Sequence, residues 1–284
     1  GNTVTQNQTV IVDDTTDPVP DVATLPTVTG ECSATIGSAP TATDNCAGTI
    51  TGTTSDALTY TTQGTYTVTW TYDDGNGNTI SQNQTVIVDD VTPPTPDIAT
   101  LTDVTAECEV TTLNAPTASD NCGGTVTVTN DATLPITTQG TTVVTWTYTD
   151  VNGNISTQTQ DIVIDDVTNP TITAPSALTV STDAGSCEAT GVSLGTPTTS
   201  DNCGVASIVN NAPATFPTGN TTVTWTVTDV NGLISSATQV VTVGDTEVPV
   251  IGTCAANKIQ SADVNSESTV PDLTTEIVAT DNCT

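Results

Sequence analysis

The sequence predicts an all-β protein made of tandem β-sandwich repeats that together form an extended rod. Three observations predict it: a motif that recurs at near-constant spacing, apolar and polar residues that alternate along short segments, and many Val, Ile and Thr residues, which favour strands. A high acidic content with few aromatic residues can indicate disorder, but this abundance of strand-forming residues opposes that interpretation.

The repeat unit is marked by its tryptophans and by an Asp-Asn-Cys triplet. The tryptophans recur at near-constant spacing, at Trp70, Trp146 and Trp225. The triplets recur with a similar period and end at Cys46, Cys122, Cys203 and Cys283. The segment at 76–90 recurs in related form at 152–166 and 231–245, and residues 1–14 repeat most of it. We therefore expect the last strand of a preceding repeat at 1–14, three repeats at 15–90, 91–166 and 167–245, and the N-terminal part of a fourth at 246–284.

The sequence of each repeat has the alternating pattern of β-strands and no helical periodicity. In the segment Thr-Val-Thr-Trp-Thr-Tyr at 67–72, Val68, Trp70 and Tyr72 share one face, which is the period of a half-buried strand. The tryptophan is therefore expected in the core, and a sugar-stacking platform is the alternative. Gly and Asn residues at 73–78 indicate a hairpin turn. Repeats of this length and pattern fit an immunoglobulin-like sandwich of roughly seven strands.

The third repeat carries motifs of a known family. Its segments SDNCGVASIVNN and FPTGNTTVTWTVTDVNG, followed by a closing VVTVGD, resemble the hyalin repeat, an immunoglobulin-like module of extracellular adhesion proteins. Tandem, Thr-rich and Lys-poor versions resemble those in the very long surface adhesins of Bacteroidota. The family often has further cysteines that repeats 1 to 3 lack, so its disulfide pattern is not carried over.

The charge balance excludes several functions. The chain has 32 acidic residues, one basic residue (Lys258) and no histidine, so it is not expected to bind nucleic acid or anionic lipid. It has no Ser-His pair and no cationic clamp for an oxyanion, and its carboxylates recur once per repeat rather than forming one active site. We therefore expect no enzyme activity. No apolar run is long enough for membrane insertion.

The eight cysteines indicate disulfides. The absence of histidine and of a C-x-x-C pair argues against zinc, and the even count is typical of an oxidising, extracellular or cell-surface location. The short spacing between the two cysteines of each repeat favours pairs within repeats, and the expected bonds are Cys32–Cys46, Cys108–Cys122, Cys187–Cys203 and, less defined, Cys254–Cys283. Free thiols or bridges between neighbouring repeats are the alternative, and Cys254 could pair beyond Thr284.

Acidic clusters predict calcium between repeats. In an immunoglobulin-like sandwich, the incoming linker, the triplet loop and the last hairpin turn are expected at one end, where carboxylate and amide oxygens could bind Ca²⁺. The candidate ligands are Asp13, Asp14, Asp44, Asp73 and Asn76 before repeat 1; Asp89, Asp90, Asp120, Asn121, Asp150 and Asn152 before repeat 2; Asp165, Asp166, Asp201, Asn202, Asp229 and Asn231 before repeat 3; and Asp245, Glu247 and Asp281 before repeat 4. The alternative is that these residues only make turns and a solvated linker.

Two functional classes remain open at this stage. The repeats are either a structural stalk or filament segment of a secreted adhesin, stiffened by disulfides and calcium, or adhesion modules that themselves bind carbohydrate or a partner. The near-identity of repeats 1 and 2 on all faces favours the stalk. The expected partners are neighbouring repeats of the same chain, with other copies in a filament and surface glycans as further candidates.

Overall fold

The computed structural model describes residues 1–254, 256–262, 264 and 278–283, and the described residues form strands, turns and loops without a helix. The all-β prediction is confirmed. Among these residues there is accordingly no helix with the length and apolar character needed to cross a membrane. The part of the predicted fourth repeat at 265–277 lies outside the described residues.

The chain forms two compact units. The first contains Gly1–Val104, Thr111–Ile136 and Thr142–Ile162, and the second contains Thr105–Val110, Thr137–Thr141 and Val163–Thr284. The first unit therefore holds repeat 1 and most of repeat 2. The second unit contains repeat 3, the residues that follow it, and three pieces of repeat 2, namely two short internal segments and the C-terminal end.

Repeat 1 is a sandwich of short sheets. Its strands are β1 Val19–Pro20, β2 Val28–Gly30, β3 Ala34–Thr35, β4 Thr41–Asp44, β5 Gly48–Thr51, β6 Thr59–Tyr60, β7 Gly64–Asp73 and β8 Thr79–Val88. They form sheets in the orders β1-β4-β5, β2-β8-β7 and β3-β6. Strand β2 runs parallel to the end of β8, with Gly30 opposite Val88. Residues 1–18 are not part of a strand, and the assignment of 1–14 to the last strand of a preceding repeat stays a prediction.

Repeats 2 and 3 follow the same plan. Repeat 2 contains β9 Thr95–Pro96, β10 Val104–Ala106, β11 Ala118–Ser119, β12 Thr127–Asn130, β13 Gly140–Thr149 and β14 Ile155–Ile164. Repeat 3 contains β15 Thr171–Thr173, β16 Leu178–Ser181, β17 Glu188–Thr190, β18 Thr198–Ser200, β19 Val205–Asn210, β20 Thr215–Pro217, β21 Gly219–Asp229 and β22 Ile234–Gly244. The main sheets are β10-β14-β13-β12 and β16-β22-β21-β19. Beyond repeat 3, β23 Val250–Thr253 pairs with β24 Val278–Thr280.

The tryptophans lie in the cores, as their position on the apolar face predicts. Trp70, Trp146 and Trp225 are 2%, 1% and 6% exposed. Each indole N–H donates to a glutamine side chain on the neighbouring strand, at 3.0–3.1 Å, and these acceptors are Gln84, Gln160 and Gln239. The glutamine satisfies the polar atom of a buried ring, so the ring can pack fully between the sheets.

Candidate functional site at the repeat junctions

Three disulfides join consecutive repeats. Each links the cysteine that follows a repeat's second strand to the triplet cysteine of the next repeat. The bonds are Cys32–Cys122, Cys108–Cys203 and Cys187–Cys283, with Cα–Cα distances of 4.9, 5.1 and 5.2 Å.

The predicted pairs within repeats, Cys32–Cys46, Cys108–Cys122 and Cys187–Cys203, are wrong, as is Cys254–Cys283, because Cys283 bonds to Cys187. The cause is the placement of the two cysteines within one sandwich. Cys32 follows β2, which ends beside the outgoing linker, where the Asp89 N–H donates to the Gly30 carbonyl at 3.0 Å. Cys46 lies by the incoming linker, near Asp14. The segment between the two cysteines can reach roughly 46 Å when extended, enough to span a sandwich rather than close a loop.

Two cysteines have free thiols among the described residues. Cys46 occupies the triplet position of repeat 1, and Cys254 follows β23. Desolvation and the nearby carboxylates of Asp14 and Asp44 raise the pKa of the Cys46 thiol above its ordinary value. The thiol is therefore protonated at neutral pH, which lowers its reactivity.

Three carboxylates meet where repeat 2 joins repeat 1. Asp90 comes from the linker, Asp120 opens the triplet loop, and Asp150 opens the turn between β13 and β14. One oxygen of each lies within 4.8 Å of the others. Asp90 and Asp150 are only 4% and 7% exposed. Negative charges held this closely repel each other, and the repulsion is strong because burial reduces solvent screening.

Local hydrogen bonds fix the orientation of each carboxylate. Asp120 Oδ2 accepts the Cys122 N–H at 2.8 Å. Asp150 Oδ1 accepts the N–H groups of Asn152 and Asn154 at 2.8 and 2.9 Å. Asp90 Oδ2 accepts the Asn152 side-chain amide at 2.6 Å. Backbone N–H groups of their own loops thus orient Asp120 and Asp150, and the Asn152 side chain orients Asp90.

The hydrogen bonds also keep Asp150 charged. Burial raises the pKa of its carboxyl, but the hydrogen bonds from Asn154 and Asn152 outweigh this and hold the pKa below its ordinary value. The equivalent Asp74 of repeat 1 behaves in the same way, with its pKa lowered by bonds from Asn78, Asn76 and Gly77. Both groups are therefore anionic at neutral pH.

Several of these aspartates have a buried oxygen without a hydrogen-bond partner. The oxygens are Asp44 Oδ2, Asp120 Oδ1, Asp201 Oδ1 and Asp229 Oδ2. Asp44 and Asp229 are 5% and 1% exposed. A buried charged oxygen without a partner is costly, so each of these sites favours a ligand that supplies positive charge.

The neighbouring junctions are built alike. Asp14, Asp44 and Cys46 form one group within 4.8 Å, and Asp166, Asp201 and Cys203 form another. Asp166 accepts the side-chain amide of Asn231 at 2.5 Å, as Asp90 accepts that of Asn152. The linker, triplet and turn elements therefore converge at successive repeats as the sequence predicts.

Some predicted ligands lie elsewhere. Asp13, Asp89 and Asp165 are exposed and belong to none of the acidic groups among the described residues. Asp73 is also exposed, and the prediction that it joins the site is wrong. Tyr72 faces the core, so alternation along the strand turns Asp73 outward and brings the next residue, Asp74, inward at 9% exposure.

The triplet asparagines take part in a different contact. Asn121 donates to the Glu31 carboxylate at 2.6 Å, and Asn202 donates to Glu107 at 2.5 Å, so both side chains contact an acid of the preceding repeat. A Glu31 carboxylate oxygen in turn lies within 4.8 Å of an Asp90 oxygen, so this contact adjoins the acidic group. Sequence reasoning missed these glutamates. Their signal is position, since each directly precedes the cysteine that forms the inter-repeat disulfide.

The fourth set of predicted ligands does not come together. Asp245 accepts the Glu247 N–H, Glu247 accepts the Gly185 N–H, and Asp281 accepts the Cys283 N–H. Among the residues that the structure describes, these three acids form no common group.

Comparisons with known proteins agree with the repeat pattern. The model for an HYR-like domain with four cysteines matches residues 91–164, and the HYR domain model matches residues 165–243. The chain carries repeats of the HYR type. Hyalin from Strongylocentrotus purpuratus is 35% identical over 99% of this chain, and hyalin from Lytechinus variegatus is 33% identical over 71%. The chain spans 25% and 41% of the length of these two relatives.

Cadherin ectodomains are among the solved structures to which the chain has a weak likeness. The protocadherin γB4 extracellular domain shares 16% identity at a TM-score of 0.29, covering 84% of this chain and 51% of that chain. Drosophila N-cadherin EC1-4 shares 10% identity at a TM-score of 0.30, covering 80% of this chain and 75% of that one.

Proposed function

We propose that this chain is a stalk segment of a secreted, non-enzymatic surface adhesin, of the long bacterial kind that its HYR-type repeats resemble, and that calcium ions stiffen its junctions. The observation that carries the proposal is the group formed by Asp90, Asp120 and Asp150, which come from the linker and from two loops of repeat 2. The disulfide Cys32–Cys122 at the same junction supports a fixed join and an oxidising location.

The donor set suits calcium. Oxygens that bind one Ca²⁺ at 2.3–2.6 Å lie within about 5 Å of each other. One oxygen of each of the three carboxylates lies within 4.8 Å of the others. Asp120 Oδ1, which has no hydrogen-bond partner, would be free to bind the ion. The Asn152 carboxamide, whose nitrogen faces Asp90, would offer its oxygen after a half-turn of the amide.

A cation at this place would change the behaviour of the junction rather than the fold of the repeats. Repeats 1 and 3 each have a hydrophobic core around a tryptophan that contains no acidic residue. In repeat 2, Trp146 is buried together with Val144 and Ile162. A shared ion replaces repulsion between carboxylates with common ligands, so it limits movement of repeat 2 against the linker from repeat 1.

Calorimetry with one matched pair of variants tests the proposal. In Asp120→Asn, the side-chain oxygen can still accept the Cys122 N–H, while an amide replaces the unpartnered carboxylate oxygen. Asp89→Asn makes the same charge change one residue from Asp90 but on an exposed side chain. We expect Ca²⁺ binding in the range of about 10⁻⁴ to 10⁻³ M for the parent chain. Asp120→Asn should lose one site, and Asp89→Asn should match the parent. Equal binding by the two variants, or no binding by the parent, would refute the calcium proposal.

The alternative in which the repeats bind glycans through tryptophan has no support, since all three rings are buried. A glycan array probed with the chain distinguishes the two functions. A stalk segment should give no signal that depends on particular sugars.

A further inference from the structure

The three disulfides overlap along the sequence and so create a second covalent route through the repeats. From Cys32 the route crosses to Cys122, returns along the short segment 108–122 to Cys108 and crosses to Cys203. It then returns along the segment 187–203 to Cys187 and crosses to Cys283. Two short segments and three disulfides thus connect Cys32 to Cys283. The main chain joins these two cysteines only through most of repeat 1, the whole of repeats 2 and 3, and the residues that follow repeat 3.

The route leaves out the long hairpins that carry the tryptophans. The hairpin of β13 and β14, which carries Trp146, lies between Cys122 and Cys187, and the hairpin of β21 and β22, which carries Trp225, lies between Cys203 and Cys283. The linkers at 89–94 and 165–170 are also outside it. When the chain is pulled from its ends, the shortest covalent path becomes taut first and the longer segments parallel to it stay slack.

We propose that the inter-repeat disulfides form a tension-bearing path that bypasses the linkers and the tryptophan hairpins, and thereby limit how far the repeats extend under force. The path rests on the disulfide pairing alone. The path would have a function only in a stalk under tension, so in this respect it rests on the proposed stalk role. Calcium has no part in it, so the calcium proposal and the disulfide proposal can fail independently.

The pairing fixes the maximum extension. With all three bonds intact, the taut path from the first residue to Cys283 contains about 60 residues and reaches roughly 200 Å at about 3.3–3.6 Å per residue. After reduction, the full chain reaches roughly 1,000 Å. Pairing within repeats would shorten the chain only slightly, to roughly 800 Å. The measured length therefore separates the two disulfide patterns.

Single-molecule force spectroscopy of the 284-residue chain, held by tags at both ends, tests the proposal. The oxidised chain, with thiol labelling confirming two free cysteines, is pulled to full extension with and without a thiol reductant. We expect the length to increase about fivefold on reduction. The double variant C108S/C203S, which lacks the middle bond, should be longer than the oxidised parent by about 35 residues, or roughly 120 Å. Cys46→Ser, which removes a free thiol, is the matched control and should leave the oxidised length unchanged.

An oxidised parent that extends beyond about 800 Å would overturn the proposal. So would a double variant of parental length, because the middle bond would then carry no tension.

Discussion

Gln239 is expected to be essential for the stability of repeat 3. Its side chain is 2% exposed, accepts the Trp225 indole N–H at 3.1 Å and donates to the carbonyls of Ser176 and Leu194 at 3.0 and 2.9 Å. Gln239→Leu keeps the approximate volume but removes all three bonds. The Trp225 indole N–H then has no hydrogen-bond partner in the core. Ser176 is exposed, so water can replace the bond that its carbonyl loses. We expect a loss of about 2–4 kcal/mol in the free energy of unfolding of this repeat.

Chemical denaturation measures this loss if the fluorescence of repeat 3 is isolated. With Trp70 and Trp146 replaced by phenylalanine, the emission of Trp225 reports the unfolding of its own repeat. Thr238→Ala, an exposed neighbour on β22, is the control and should change stability by less than about 0.5 kcal/mol. If Gln239→Leu costs no more than the control, the glutamine does not hold the indole in the core.

Two further predictions concern the junctions. Digestion with an Asp/Glu-specific protease without reduction, followed by mass spectrometry, should recover Cys122 bonded to Cys32, and a Cys32–Cys46 peptide would contradict the structure. Because the folded pKa of Asp150 is lowered from its ordinary value, its stabilising contribution is present above the pKa of the unfolded chain and is lost as the pH falls through the folded pKa. Thermal melts should therefore show a gap between the parent and Asp150→Asn at pH 6 that closes in strong acid, and a constant gap would be evidence against this role. Comparing the two chains at each pH removes most of the general effect of a net charge of −31.

The features that recur along the chain could be predicted from the sequence. The tryptophan spacing predicts the repeats, and alternation of Val68, Trp70 and Tyr72 predicts the buried face. The same alternation identifies the buried acid of the turn in repeat 1. Every second residue faces inward, so the position after Tyr72 on the buried face is Asp74 rather than Asp73. In repeats 2 and 3 the turn acids named from the sequence, Asp150 and Asp229, are buried.

The disulfide partners could not be predicted, for a physical reason. The short spacing from Cys32 to Cys46 fits a closed loop within a repeat, and it also fits a segment that runs the length of a sandwich. Only the parallel pairing of β2 with β8 decides between them, since it places Cys32 at the outgoing end of its repeat. Pairing between strands distant in sequence leaves no local signal. The contact between Glu31 and Asn121, 90 residues apart, was missed for the same reason.

The occupancy of the junction between repeats 1 and 2 can be measured directly. A high-resolution crystal structure of the chain grown with calcium, with anomalous data, would show whether an ion lies between Asp90, Asp120 and Asp150. We expect an anomalous peak that marks a calcium ion coordinated by all three carboxylates, with Asp120 Oδ1 about 2.4 Å from the ion. The Asn152 side-chain amide should be turned so that its oxygen faces the ion. A junction that holds only water, with the Asn152 nitrogen still donating to Asp90, would contradict the proposal that calcium joins the repeats.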